Sequence, residues 1–189
     1  MRVVGGTPVF NGLPYPTSPV DVDTILLDQS RMRAITRAGE SLSVIPSMDT
    51  RHPMDLNILA ETAPPQCQFV YSETATFGSD IAGFHKRTFQ DPPASALISE
   101  GAAAYHDAGT ARRAFDSLAA VVQRCAGSPT GELLVGAWSA DAESLHTRPG
   151  GCGRDYRLKS VVLLEVTSCG FPESVSEIVM TNLAARVPG

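Results

Sequence analysis

Four cysteines and four histidines carry most of the reactive chemistry available to this chain. Cys67, Cys125, Cys152 and Cys169 include no CxxC pair and no histidine at zinc spacing, so no tetrahedral metal centre is expected. They are either buried thiols or two disulfides, and four cysteines allow three connectivities. Cys152 and Cys169 flank two strand-like runs, 154–158 and 161–166. A hairpin whose two-residue loop is Ser160-Val161 pairs Lys159 with Val162, and counting outward sets Cys152 opposite Cys169, within disulfide reach. That leaves Cys67 for Cys125. In the chain-entropy picture the short loop contributes about 3 kcal/mol and the long one about 4 kcal/mol. Two such bridges place the protein outside a reducing cytosol.

The same hairpin register gathers the one constellation that suits a ligand. Arg154, Tyr156 and Leu158 face Thr167, Glu165 and Leu163, on the side that carries the cysteines. Asp155 and Arg157 fall on the other side, against Val166 and Leu164. A disulfide beside Arg154, Tyr156, Glu165 and Thr167 makes a partly polar wall, and Arg154, Tyr156 and Glu165 are the candidate ligand-binding residues. The competing reading is an ordinary solvated face with a cross-strand pair between Arg154 and Glu165. If instead the face packs under helices, Tyr156 is a core residue.

Catalysis has no such support. The chain has no GxSxG, no GxxxxGK[ST], no GxGxxG after a strand and no HExxH. Gly150-Gly151-Cys152-Gly153 opens a strand rather than a helix, so it reads as a turn and not a phosphate cradle. His52, His85, His106 and His146 lie in separate segments and read as surface residues. His106-Asp107 are adjacent and point apart, which activates no nucleophile. Trp138 reads as a core or rim anchor. No catalytic residue, metal site or cofactor is expected.

Of the 189 residues, 43% are hydrophobic and 19% charged, a globular composition with enough apolar material for a core. Fifteen basic against twenty acidic residues give a net charge of −5 without a dense basic cluster, which argues against nucleic acid as a partner. No apolar run spans a membrane, and the start at Met1 has no signal-peptide h-region. Membrane attachment is therefore expected only through an upstream lipid anchor or transmembrane helix.

The elements that must position these residues follow from the patterning. Residues 1–23, rich in Pro and Gly, read as an extended tether, and 24–189 as one domain. Asp28 caps a short helix that Gly39 stops, and Pro46 marks an edge or broken strand. Residues 50–66 read as loop. Strands are expected at 68–71, 81–89 and 97–105, then a helix over 111–125 with Ala114, Phe115, Leu118, Val122 and Cys125 as its apolar stripe. Four more strands (133–138, 142–146, 154–158, 161–167) precede a closing helix begun at Pro172, its stripe being Val175, Ile178, Val179, Leu183 and Val187. The order suggests an α+β domain: an antiparallel sheet with helices packed on one face.

Several segments together resemble a known family. They are Glu100-Gly101-Ala102-Ala103-Ala104-Tyr105, Ala111-Arg112-Arg113-Ala114-Phe115, Gln123-Arg124-Cys125-Ala126-Gly127, Cys152-Gly153-Arg154, Thr167-Ser168-Cys169-Gly170, and the terminal Asn182-Leu183-Ala184-Ala185-Arg186-Val187-Pro188. The chain resembles the extracellular sensor domain of mycobacterial PknH-type serine/threonine kinases, shared with mycobacterial lipoproteins, from about residue 26 to 188. The stretch 69–84 departs from the family's Trp and Gly pattern. The resemblance implies an extracytoplasmic domain without enzymatic activity, two disulfides (Cys67–Cys125 and Cys152–Cys169) and a wide cleft. Its partner is expected to be a small molecule or a cell-envelope protein held in that cleft.

Overall fold

The computed structural model describes residues 18–189 throughout and, before them, only a pair of two-residue antiparallel strands, β1 (Val9–Phe10) and β2 (Leu13–Pro14). Seven further strands form one antiparallel sheet: β3 (Ser43–Thr50), β4 (Ile81–Asp91), β5 (Ala96–Tyr105), β6 (Ala137–Ala140), β7 (Ser144–Arg148), β8 (Cys152–Lys159) and β9 (Val162–Cys169). Their spatial order is β3-β4-β5-β9-β8-β7-β6. The helices are α1 (Gln29–Thr36), α2 (Asn57–Thr62), α3 (Glu73–Phe77), α4 (Ala108–Ala126), α5 (Gly131–Leu134) and α6 (Glu173–Arg186).

The β8–β9 hairpin turns where expected. Ser160 takes the left-handed conformation at φ 54°, Lys159 lies opposite Val162, and Cys152 lies opposite Cys169. Both disulfides form, Cys67–Cys125 and Cys152–Cys169. The first ties a 3-10 turn, Pro65–Val70, to the end of α4. That turn replaces the strand expected at 68–71, because Pro65 at its first position favours a helical start. Residues 50–66, expected as loop, contain α2.

The expectation of helices on one face is corrected: helices cover both. Along β9, Val162, Leu164 and Val166 join a core with Leu27, Met32, Val179 and Leu183, under α1 and α6. Leu163, between them, joins a second core with Tyr105, Phe115, Leu118, Val122 and Tyr156, under α4. Alternate strand residues point to opposite faces, so a run apolar at every position is a run buried on both sides. Residues 161–164 and the small residues of β5 carry that signal.

Smaller departures have local causes. Asp107 accepts from the Thr110 backbone N–H and starts α4 three residues before Ala111. Arg37, left-handed at φ 58°, ends α1 ahead of Gly39. The strand expected at 133–138 divides into α5 and β6 because Gly136, at φ 63°, turns between them with its α-carbon against the Arg148 carbonyl. Ile178 stays 47% exposed, off the buried stripe of α6. β3, with Pro46, is an edge strand with an irregular register. Of the expected tether, residues 1–17 lie outside the fully described residues, while Val20 and Val22 already pack on the α6-side core.

Candidate ligand-binding cavity

The site grows from the register of four strands. On one face of the sheet, Arg154 stands opposite Thr167 and Tyr156 opposite Glu165. One strand over, Gly101 pairs with Glu165, and one further, Lys86 pairs with Gly101. Gly101 has no side chain, so Lys86 reaches across β5 and its Nζ lies 3.2 Å from both oxygens of Glu165. The same Nζ is 2.9 Å from Oε1 of Glu73, at the start of α3. Glu73 Oε2 in turn accepts from the Met54 backbone N–H at 2.7 Å. The Thr167 hydroxyl donates to Glu165 Oε1 at 2.7 Å, and Arg154 Nη2 donates to the Val70 carbonyl at 2.9 Å. The sheet thereby grips the segment between β3 and β4 at two points, Val70 and Glu73, and Glu73 in turn holds Met54.

Burial by itself would push the Glu165 carboxyl up, but Lys86, Arg154 and the Thr167 hydroxyl hold it below the usual carboxylate range. Desolvation would lower the Lys86 ammonium; Glu165 and Glu73 more than offset it and raise it. Glu165 and Lys86 are therefore both ionised at neutral pH.

Between this floor and the gripped segment lies a cavity of about 280 Å³, lined by Arg154, Glu165, Lys86, Glu73 and Thr167, and by Val70, Leu97, Met48, Met54 and Leu56. Met48, Met54 and Leu56 are 41%, 41% and 50% exposed, which places them at the rim. Larger depressions of about 450 and 350 Å³, around Arg157 and Trp138, have no comparable buried ion cluster.

Of the three residues singled out in the sequence, Arg154 and Glu165 lie on the cavity wall and Tyr156 does not. Tyr156 is 1% exposed, packed in the α4-side core, because α4 covers that end of the strand face. Its hydroxyl has no hydrogen-bond partner, and burial with Glu165 nearby pushes it up to about 12. The cross-strand ion pair of the competing reading does not form: Glu165 pairs with Lys86, and no carboxylate comes within ion-pair distance of Arg154 among the described residues, although its charge still reaches Glu165. Lys86 and Glu73 went unrecognised in the sequence. A lysine in the middle of the strand run 81–89, with a glycine on the neighbouring strand, was the available signal.

His85 corrects the surface reading of the histidines. It is 1% exposed, on the opposite face from Lys86, with Nε2 2.7 Å from Asp49 and Nδ1 2.6 Å from Asp23, the latter out of line for a hydrogen bond. Arg87 and Arg51 complete the cluster through Asp49 and Asp23. His52 and His106 are exposed, and His146, half-buried, contacts Asp155 at 2.7 Å. Trp138 sits on the exposed edge strand β6.

Comparison with known proteins agrees with this architecture. The model of the PknH-like extracellular domain family matches residues 17–186. Among solved structures, the extracellular domain of PknH from Mycobacterium tuberculosis superposes with a TM-score of 0.67 at 14% identity, covering 90% of this chain and 98% of that one. No curated protein matches the sequence.

Proposed function

We propose, since this chain belongs to the family of PknH-like extracellular domains, that it acts as an extracytoplasmic sensor or ligand-binding domain, of an envelope lipoprotein or a receptor-type serine/threonine kinase. The ligand enters the cavity between the sheet and the segment 54–77. The observation that supports this is the floor of that cavity: Lys86, Glu73 and Glu165, mostly buried and paired with one another, are held in fixed positions beside an apolar rim. Convergent charged groups at the bottom of an apolar recess are what a small-molecule site needs. The domain itself performs no catalysis in this reading, and its output passes to whatever it is anchored to.

One observation favours a second reading, an envelope protein as partner. Ile58 and Leu59, on α2 beside the rim, are 82% and 46% exposed and extend the apolar surface of Met54 and Leu56. Native mass spectrometry of the protein isolated from its own envelope separates the two. A small molecule retained by the wild type and lost on Arg154→Gln supports the cavity reading. A domain that is empty in every preparation, and crosslinks to a polypeptide through residues 54–59, favours the second.

A further inference from the structure

The donors and acceptors on the cavity floor are unevenly spent, and the imbalance bears on the charge of the ligand. Lys86 has three N–H donors, and they face Glu73 Oε1 and both oxygens of Glu165. Glu165 is also taken by Thr167, and Glu73 by the Met54 N–H. A cationic ligand would have to displace Lys86 from carboxylates that are already satisfied. Arg154 is in the reverse position. Its guanidinium carries five N–H donors, and its one hydrogen bond among the described residues is to a neutral carbonyl, Val70. It lines the cavity half-buried, near enough for its charge to reach Glu165 but without a direct ion pair, so most of its donors are unspent. The neighbouring Tyr156 hydroxyl is uncommitted too.

The walls supply the other half. Met48, Met54 and Leu56 form an exposed apolar rim above Val70 and Leu97, and methionine adapts its shape to flexible apolar chains. At about 30 Å³ for each water-sized group, 280 Å³ holds a body of roughly ten heavy atoms. Resting on the cavity reading above, we infer that the ligand is an anionic amphiphile: a monocarboxylate whose head pairs with the Arg154 fork and whose unbranched apolar body lies along the methionine rim. Arg154 and a carboxylate match in a two-pronged geometry that lysine cannot reproduce.

Three probes of equal length and different charge test this: decanoate, decanol and decylammonium, below their micellar concentrations. Calorimetry gives affinity, and the ¹³C-methyl resonances of Met48 and Met54 report occupancy of the rim. Decanoate should bind at least tenfold tighter than either other probe, shift both methionines, and lose its advantage in Arg154→Gln. Leu56→Asp, at a half-exposed rim position that tolerates a polar side chain, should weaken decanoate by removing apolar contact and adding a like charge, and should weaken decanol less. If decanol or decylammonium shifts the methionines as tightly as decanoate, the anionic head is wrong while the cavity reading stands. If none of the three binds, the inference falls, and the retained-ligand experiment decides separately whether the cavity reading falls with it.

Discussion

Glu100 and Glu165 lie on adjacent strands one register step apart, both almost wholly buried, at 0% and 3% exposure. They are held in opposite protonation states. Glu165 faces the cavity, receives Lys86 and Thr167, and sits below the ordinary carboxylate range. Glu100 faces α1 and α6, accepts one hydrogen bond, from the Leu27 N–H, and leaves its other oxygen without a partner. Burial pushes it up to about 8, so it carries a proton at neutral pH. The face of the sheet does not decide this. On the Glu100 face, Asp49 is held low, against its own desolvation, by His85 and Arg87. What separates the two glutamates is a cation within reach. Arg87, beside Glu100 in register, is turned to Asp49 instead.

Removing the cation should therefore turn Glu165 into a second Glu100, at a large cost. Lys86→Met leaves Glu165 and Glu73 facing each other without a counter-charge, and should destabilise the domain by about 3–5 kcal/mol in denaturant unfolding. Adding Glu165→Gln should recover most of that loss. Failure of the double variant to recover would mean that Lys86 matters for packing rather than charge, and the comparison breaks.

Glu100 gives the next effect, and its sign is opposite to that of a paired carboxylate. Because its folded pKa is raised from 4.5 to about 8, its contribution to stability is complete below pH 4.5 and is lost as pH rises toward 8. Between pH 4.5 and 7 that loss is on the order of 3 kcal/mol. Glu100→Gln, neutral throughout, should remove that slope and be more stable than wild type at pH 7. Glu165 behaves conversely: its contribution is present above the unfolded carboxylate pKa and fades as pH falls through its lowered folded value. An unchanged slope in Glu100→Gln would show that Glu100 is ionised in the fold.

His85 sharpens the point on the Glu100 face. Held between Asp49 and Asp23, it joins the edge strand β3 to the turn at Val22–Thr24. His85→Gln should cost about 2 kcal/mol, less than Lys86→Met because Asp23 is 44% exposed and can turn to water. Hydrogen exchange of residues 20–27 should rise with the loss. A change confined to β3 would show that the Asp23 contact contributes nothing.

How far these groups could be read from the sequence depends on the range of the interaction. The hairpin register was legible because a two-residue turn fixes every pair from Lys159 and Val162 out to the cysteines. That placed Arg154, Tyr156, Glu165 and Thr167 on one face, correctly. It could not say which part of the face α4 would cover, so Tyr156 was assigned to the wall and proved to be core. Lys86 meets Glu165 from 79 residues away across a third strand, and His85 meets Asp49 from 36 away. Local pattern holds no record of such distances. The loop expected at 50–66 and the strand at 68–71 give way to helical turns because the shape of this segment is set by Cys67, Glu73 and Val70 being held from outside.

The smallest expected effect tests the geometry by which Lys86 crosses the sheet. Gly101 lies between Lys86 and Glu165 and leaves open the lane the lysine uses. A Cβ built there would stand 3.6 Å from Lys86 Cγ and 3.7 Å from Glu165 Cβ, ordinary contact distances. Its backbone is not left-handed, so an alanine adds no strain. Replacing glycine in a strand removes unfolded-state freedom, so Gly101→Ala should be neutral or stabilising by up to about 1 kcal/mol. Gly101→Leu should behave quite differently, because its side chain fills the lane and separates the ion pair. Equal stability in the two variants would show that Lys86 can reach Glu165 by another path and that glycine is not needed at this crossing. Loss of stability in Gly101→Ala would show that the lane is too narrow for even one methyl group.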